Sequence, residues 1–160
     1  MFNFFKSRWK LDSNTIARSL CEHLVDEDIN SNFKNNFIKI EGKLTDQFEH
    51  KAFIYRLAIV LSSLLMYEKK NPKFEAVREQ VEKEVFNTEA GRSHFAEVEE
   101  AMVSFAELIN TKEDSFRLRW ATSWLAEIGI EEPNPARLAL FAIMWKNEYQ
   151  MVLNILQRDI

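Results

Sequence analysis

The chain has 160 residues, of which 46% are hydrophobic and 29% charged, and its formal net charge is −4. This composition is typical of a globular protein and argues against a disordered chain, and the length suits a single domain. The negative charge disfavours a nucleic-acid-binding protein, because neutralising phosphates requires clustered Lys and Arg. The single cysteine, Cys21, excludes an internal disulfide and indicates a reducing compartment.

Glycine and proline are scarce, with three of each in the chain. All-β folds need many turns, so this scarcity favours long helices joined by a few loops. Each glycine is also isolated in the sequence, which excludes the glycine-rich loops that bind nucleotide phosphates.

Segment 1–10 combines aromatic and basic side chains and contains no acidic one. These side chains are Phe2, Phe4, Phe5, Trp9, Lys6, Arg8 and Lys10. We favour an arrangement in which the rings pack on the helical domain and the charges face outward. The alternative is attachment to an anionic membrane surface. The segment lacks the apolar centre of a secretion signal, so we expect a cytoplasmic protein.

The spacing of apolar residues predicts two helices after this segment. The first covers about 14–26, with Asp12 or Ser13 as its N-cap. The next stretch is rich in asparagine, which forms helices poorly, but its aromatic residues keep helical spacing. We therefore expect a second helix that ends near Ile40, before Gly42.

The most hydrophobic stretch, residues 52–67, predicts a helix that other helices surround. Apolar residues cover it on nearly all sides, so no wide polar face remains. With Thr45 as its cap, we expect this helix over about 45–69. The apolar run is shorter than the roughly 20 residues that span a bilayer, and it contains Arg56, so a membrane span is excluded. One thin polar line is the expected contact with water, and it consists of Glu49, Arg56, Ser63 and Lys70.

Two amphipathic helices follow the central one. Asn71 and Pro72 are the N-cap and first-turn residues of the first, which carries a single apolar stripe. After a break around 87–92, the alternating spacing of apolar residues predicts a helix over 93–110.

The last two predicted helices have clear boundaries. One covers 113–128 and is followed by Gly129, which suits a left-handed C-cap. Asn134 and the proline after it then start a helix over about 135–158 that carries a wide apolar face.

These patterns together predict an all-α fold over residues 11–160. We expect a single-domain antiparallel bundle of six to seven helices, because short connections favour antiparallel neighbours. The helix over about 45–69 occupies the centre, and the long apolar C-terminal helix over about 135–158 lies beside it.

The sequence contains no motif that indicates catalysis or a cofactor. HExxH, GxSxG and CxxC are absent, and no histidine follows a glutamate by three residues as in di-metal bundles. His94 and Glu97 have a spacing at which they could share a metal ion on a helix. Histidine and glutamate are common without a metal, however, so we predict a non-catalytic protein without cofactor or metal.

Acidic residues are concentrated on the outward faces of two predicted helices. We therefore expect a protein that binds another protein with a basic surface, as an inhibitor, a toxin-neutralising immunity protein or an adaptor. The residues expected to contact this partner are Glu79, Glu82, Glu97, Glu100 and Glu107.

Other interpretations of the same sequence stay open. An acidic helix face can simply be solvated, and the protein could instead be a peripheral membrane protein held by segment 1–10. It could self-associate through the apolar stripe of 93–110. A third alternative is a small-molecule binder or enzyme with an aromatic pocket and an arginine, built from Trp120, Trp124, Trp145 and Tyr149 with Arg117, Arg119 or Arg137.

Overall fold

The computed structural model describes residues 12–87, 89–110 and 116–158, so the aromatic and basic segment 1–10 lies outside the described residues. The described residues form helices and no strand, which confirms the predicted all-α class. The helices are α1 (Ser13–Val25), α2 (Glu27–Glu41), α3 (Phe48–Glu68), α4 (Lys73–Phe86), α5 (Glu89–Ser93), α6 (Phe95–Asn110), α7 (Phe116–Glu127) and α8 (Pro135–Gln157).

Aspartate caps define the start of the first two helices. Asp12 accepts a hydrogen bond from the backbone amide of Thr15 at 2.7 Å, which confirms one of the two predicted caps. Asp26 ends α1 and caps α2 by accepting from the amide of Ile29 at 2.9 Å. Gly42, in the left-handed conformation at φ 92°, then ends α2 close to the predicted position.

The sequence also located the boundary between α7 and α8. Gly129 has φ 89°, and the amide of Ile130 donates to the carbonyl of Leu125 at 2.8 Å, which is the hydrogen bond of a Schellman motif. Asn134 caps α8 by accepting from the amide of Ala136 at 2.9 Å. Thr45, in contrast, does not cap α3.

The start of α3 and the break after α4 differ from the prediction. Helix α3 begins at Phe48, and Gln47 occupies its N-cap position without a side-chain hydrogen bond. Residues 87–92, predicted as a break, contain most of the five-residue helix α5, which brings the number of helices in the described residues to eight. One short turn of helix has no apolar periodicity that a sequence pattern could detect.

Helix α3 is the centre of the fold, as predicted. It packs against α1, α4, α6, α7 and α8. Every residue from Ile54 to Leu64 is buried. The predicted contact with water is wrong at Arg56 and Ser63, which are 3% and 0% exposed. None of the described helices combines the length and the apolar character that crossing a membrane requires.

Helix α8 buries only part of the apolar surface that its sequence offers. Phe141, Trp145 and Val152 lie in the hydrophobic core. Leu140 and Ile143, which are also apolar, are each about half exposed. The buried face of α8 instead includes a charged residue, Glu148.

Candidate functional site

Helix α4 contributes less acidic surface than its sequence suggests. Glu79 is exposed. Glu82 accepts two hydrogen bonds from Arg78, at 3.0 and 3.1 Å. Arg78 also donates to Glu68 at 2.8 Å, and this bond lowers the pKa of the Glu68 carboxyl. The helix contains four Glu against Lys73, Arg78 and Lys83, so its own charges nearly cancel.

Helix α6 is the acidic element of the described residues. Over Phe95–Asn110 it contains four Glu and no Lys or Arg. Glu100 and Glu107 are exposed, as predicted, and so is Glu99. Because residues three and four apart on a helix are neighbours, these three carboxylates surround one position, Val103.

Val103 is the most exposed large hydrophobic residue of α6, with 59% of its surface accessible. Beside it, a groove of about 590 Å³ runs between α6 and the second half of α3. The groove is lined mainly by apolar side chains, including the 40% exposed Leu65 and the half-buried Met102. The α6 surface, defined as Glu99, Glu100, Val103 and Glu107, therefore combines exposed carboxylates with apolar contact area.

Glu97 differs from the other glutamates of α6 because it faces α3. Its side chain is 35% exposed and accepts a hydrogen bond from Lys51 at 2.7 Å. His50 Nε2 lies 3.1 Å from the same carboxylate oxygen and 3.0 Å from the other one, Oε1. The hydrogen bond from Lys51 lowers the pKa of the Glu97 carboxyl, burial opposes this effect, and His50 reinforces it.

A second histidine completes a cluster around Glu97. His94 Nδ1 lies 3.7 Å from Glu97 Oε1, and the rings of His50 and His94 are 4.4 Å apart between centroids. One ligand atom of each of the three residues lies within 4.8 Å of the other two. The spacing of His94 and Glu97 was visible in the sequence, whereas His50 joins them only because α3 packs against α6.

Both histidines also line a cavity of about 1060 Å³ among α1, α3, α4 and α5. Its apolar walls include Leu24, Phe53 and Val85. Lys51 is not among the residues that line this cavity, and it bridges the Glu97 and Glu127 carboxylates, each at 2.7 Å.

A buried ion pair joins α1, α3 and α8. Arg56 Nε donates to Glu148 Oε1 at 2.7 Å, and His23 Nε2 lies 2.7 Å from the same oxygen. The other guanidinium nitrogens donate to the backbone carbonyl of His23 and to Asn30. Burial raises the pKa of Glu148, but the contacts with His23 and Arg56 outweigh it, and the pKa lies below its ordinary value. All members are satisfied within the fold, so this network is structural.

Sequence reasoning missed this pair although the sequence contained a signal. Glu148 is a lone charge within an otherwise apolar helix face, and Arg56 belongs to a polar line that apolar residues flank closely on both sides. Such a charge requires a buried partner of opposite sign, since an unpaired one is too costly.

The aromatic residues proposed as a ligand pocket lie in the core. Trp120, Trp124 and Trp145 are each at most 2% exposed, and Trp145 packs edge to face against each of the other two. Their Nε1 atoms find no acceptor among the described residues. Of the three arginines proposed with them, Arg137 lies 3.4 Å from Glu41, a contact between α8 and α2.

Comparison of the chain with protein-family models, with curated protein sequences and with solved structures finds no match.

Proposed function

We propose that the protein binds a basic protein partner through the α6 surface. The observation that carries this proposal is the concentration of exposed carboxylates around an exposed valine on a helix without Lys or Arg. The proposal keeps Glu100 and Glu107 from the sequence prediction and adds Glu99 and Val103. Glu97 and Glu82 are less suited to contact a partner because they already form ion pairs with Lys51 and Arg78 of the same chain.

Charge and apolar area have different roles in this proposal. Exposed carboxylates attract a basic surface over a distance and thereby raise the association rate, an effect that salt screens. Affinity requires desolvated apolar contact as well, because ion pairs at the rim of an interface contribute little. Val103, with the groove beside it, supplies that contact area.

The proposal also explains why a catalytic role is not needed for this surface. Glu99, Glu100 and Glu107 are exposed to water, whereas a carboxyl group used in acid–base catalysis is usually shielded from it. A binding role requires only that the charges be accessible.

Charge reversal on α6 tests the proposal. The double variant Glu100→Lys/Glu107→Lys is used as bait for quantitative co-purification from cells of the source organism, beside the wild-type chain. The matched control is Glu131→Lys/Glu132→Lys, which makes the same change in net charge at two exposed residues between α7 and α8.

We expect a basic protein that the wild type and the control retain at low salt and that the α6 variant loses. The same protein should dissociate from the wild type as the salt concentration rises. Equal recovery of every captured protein by the α6 variant and the wild type would refute the proposal.

A further inference from the structure

We propose that His50, His94 and Glu97 form a binding site for a zinc-class divalent metal ion, with an open coordination position toward the adjacent cavity. This site is independent of the α6 surface, because Glu97 faces α3 while Glu100 and Glu107 face outward.

The ligand types suit such an ion. Two imidazole nitrogens and one carboxylate oxygen form the protein ligand set of many catalytic zinc sites, which keep a further position for water or a bound molecule. Ca²⁺ and Mg²⁺ prefer oxygen ligands, so the two histidines favour a transition metal.

The distances suit it as well. Metal–ligand bonds of about 2.0–2.1 Å in a tetrahedral site place the ligand atoms roughly 3.4 Å from one another. The Glu97 oxygen lies 3.0 Å from His50 Nε2 and 3.7 Å from His94 Nδ1. Small side-chain rotations are therefore sufficient to bring the three ligand atoms around one ion.

Lys51 supports the site from outside. It donates to the second oxygen of Glu97 at 2.7 Å and is itself fixed by Glu127 at 2.7 Å. Such a partner keeps the carboxylate ionised and orients its other oxygen toward the two histidines. Lys51 is therefore a positioning residue of the proposed site.

The cavity determines where the open position faces. Of the residues of the cluster, His50 and His94 line it, whereas Lys51 and Glu127 are not among its lining residues. A water molecule or a small ligand in the cavity can thus complete the coordination of the ion. The mainly apolar walls would accommodate a ligand with an apolar body and one metal-binding group.

The test is zinc binding by the metal-free full-length chain, measured in competition with a chromophoric chelator. We expect one equivalent of Zn²⁺ per wild-type chain. His50→Ala and His94→Ala should each weaken binding by about 100-fold or more, since removing even an outer-shell partner costs 10- to 100-fold. Both side chains are about one-third exposed, so these variants retain the core, and thermal unfolding of the metal-free variants verifies their fold.

Two controls make the result specific. Glu100→Gln changes a carboxylate on the outward side of α6, and Cys21→Ser removes the only thiol of the chain, which also lines the cavity. Both should bind zinc like the wild type. No zinc binding by the wild type, or undiminished affinity in either histidine variant, would overturn the proposed site.

A separate experiment tests whether the bound metal ion keeps a free coordination position. In the Co²⁺-loaded chain, added azide should change the visible absorption spectrum, because a monodentate anion can enter the free position. A spectrum that does not change with azide would overturn the open position.

Discussion

The buried ion pair between Arg56 and Glu148 is the single interaction on which the fold depends most. Each is almost completely buried, at 3% and 2% exposure, and each has the other as its partner of opposite charge. A buried ion pair adds little stability compared with apolar residues in the same place, but breaking it leaves an unpaired charge in the core. The pair therefore fixes how α3 and α8 pack.

We predict that Glu148→Ala lowers the free energy of unfolding by about 3–5 kcal/mol at neutral pH. The double variant Arg56→Met/Glu148→Met should recover part of this loss, because it removes both charges. Urea unfolding monitored by circular dichroism measures both values. A double variant that is no more stable than Glu148→Ala would contradict this prediction.

The carboxyl group of Glu148 also makes the stability of the folded chain depend on pH. The pKa of Glu148 is lower in the folded chain than its ordinary value of 4.5, so its contribution is fully present above that pH. The contribution is lost as the pH falls through the folded-state pKa. The difference in stability between the wild type and Glu148→Ala should therefore shrink in acid.

For single residues, sequence patterns predicted which glutamates of α6 are exposed, but they did not predict which side chains contact each other. They identified Glu100 and Glu107 as surface residues, since both lie opposite the apolar stripe of α6. They could not show that Lys51 and His50 both form hydrogen bonds with Glu97. Those contacts connect α3 to α6 across more than 40 positions of the chain. The spacing of apolar residues within one helix cannot predict contacts between residues so far apart in the sequence.

At the element scale, helix boundaries followed the sequence where cap residues define them. Asp12, Gly129 and Asn134 each make the hydrogen bond or adopt the conformation that their type favours. Thr45 was misleading because a threonine before an apolar run is also common in loops. The chain has a turn there, with the amide of Phe48 donating to the carbonyl of Thr45 at 3.1 Å.

Gly129 offers a direct test of one such boundary. With φ 89°, it adopts a conformation that a residue with a Cβ atom disfavours, although nothing lies within 4 Å of the position that a Cβ would occupy. We predict that Gly129→Ala costs about 1–2 kcal/mol of stability through backbone strain alone. Gly129→Asn should cost less, since Asn tolerates this conformation better. Equal thermal stability of both variants would contradict the strain argument.

At the scale of the whole molecule, α6 and α8 expose apolar side chains in opposite electrostatic settings. Around Val103, α6 carries only acidic charges. Around Ile143, which is similarly exposed, α8 carries Lys146, and the one acidic residue of the helix is buried. Position 143 is therefore an exposed apolar site without the acidic residues that surround position 103.

Site-specific photo-crosslinking in cells of the source organism compares these two surfaces most directly. A photoreactive residue replaces Val103 in one variant and Ile143 in the other. We predict a discrete adduct with a basic protein from position 103 only, and loss of that adduct when Glu100→Lys and Glu107→Lys are added. The same adduct from both positions, or an adduct at position 103 that survives the charge reversal, would contradict it.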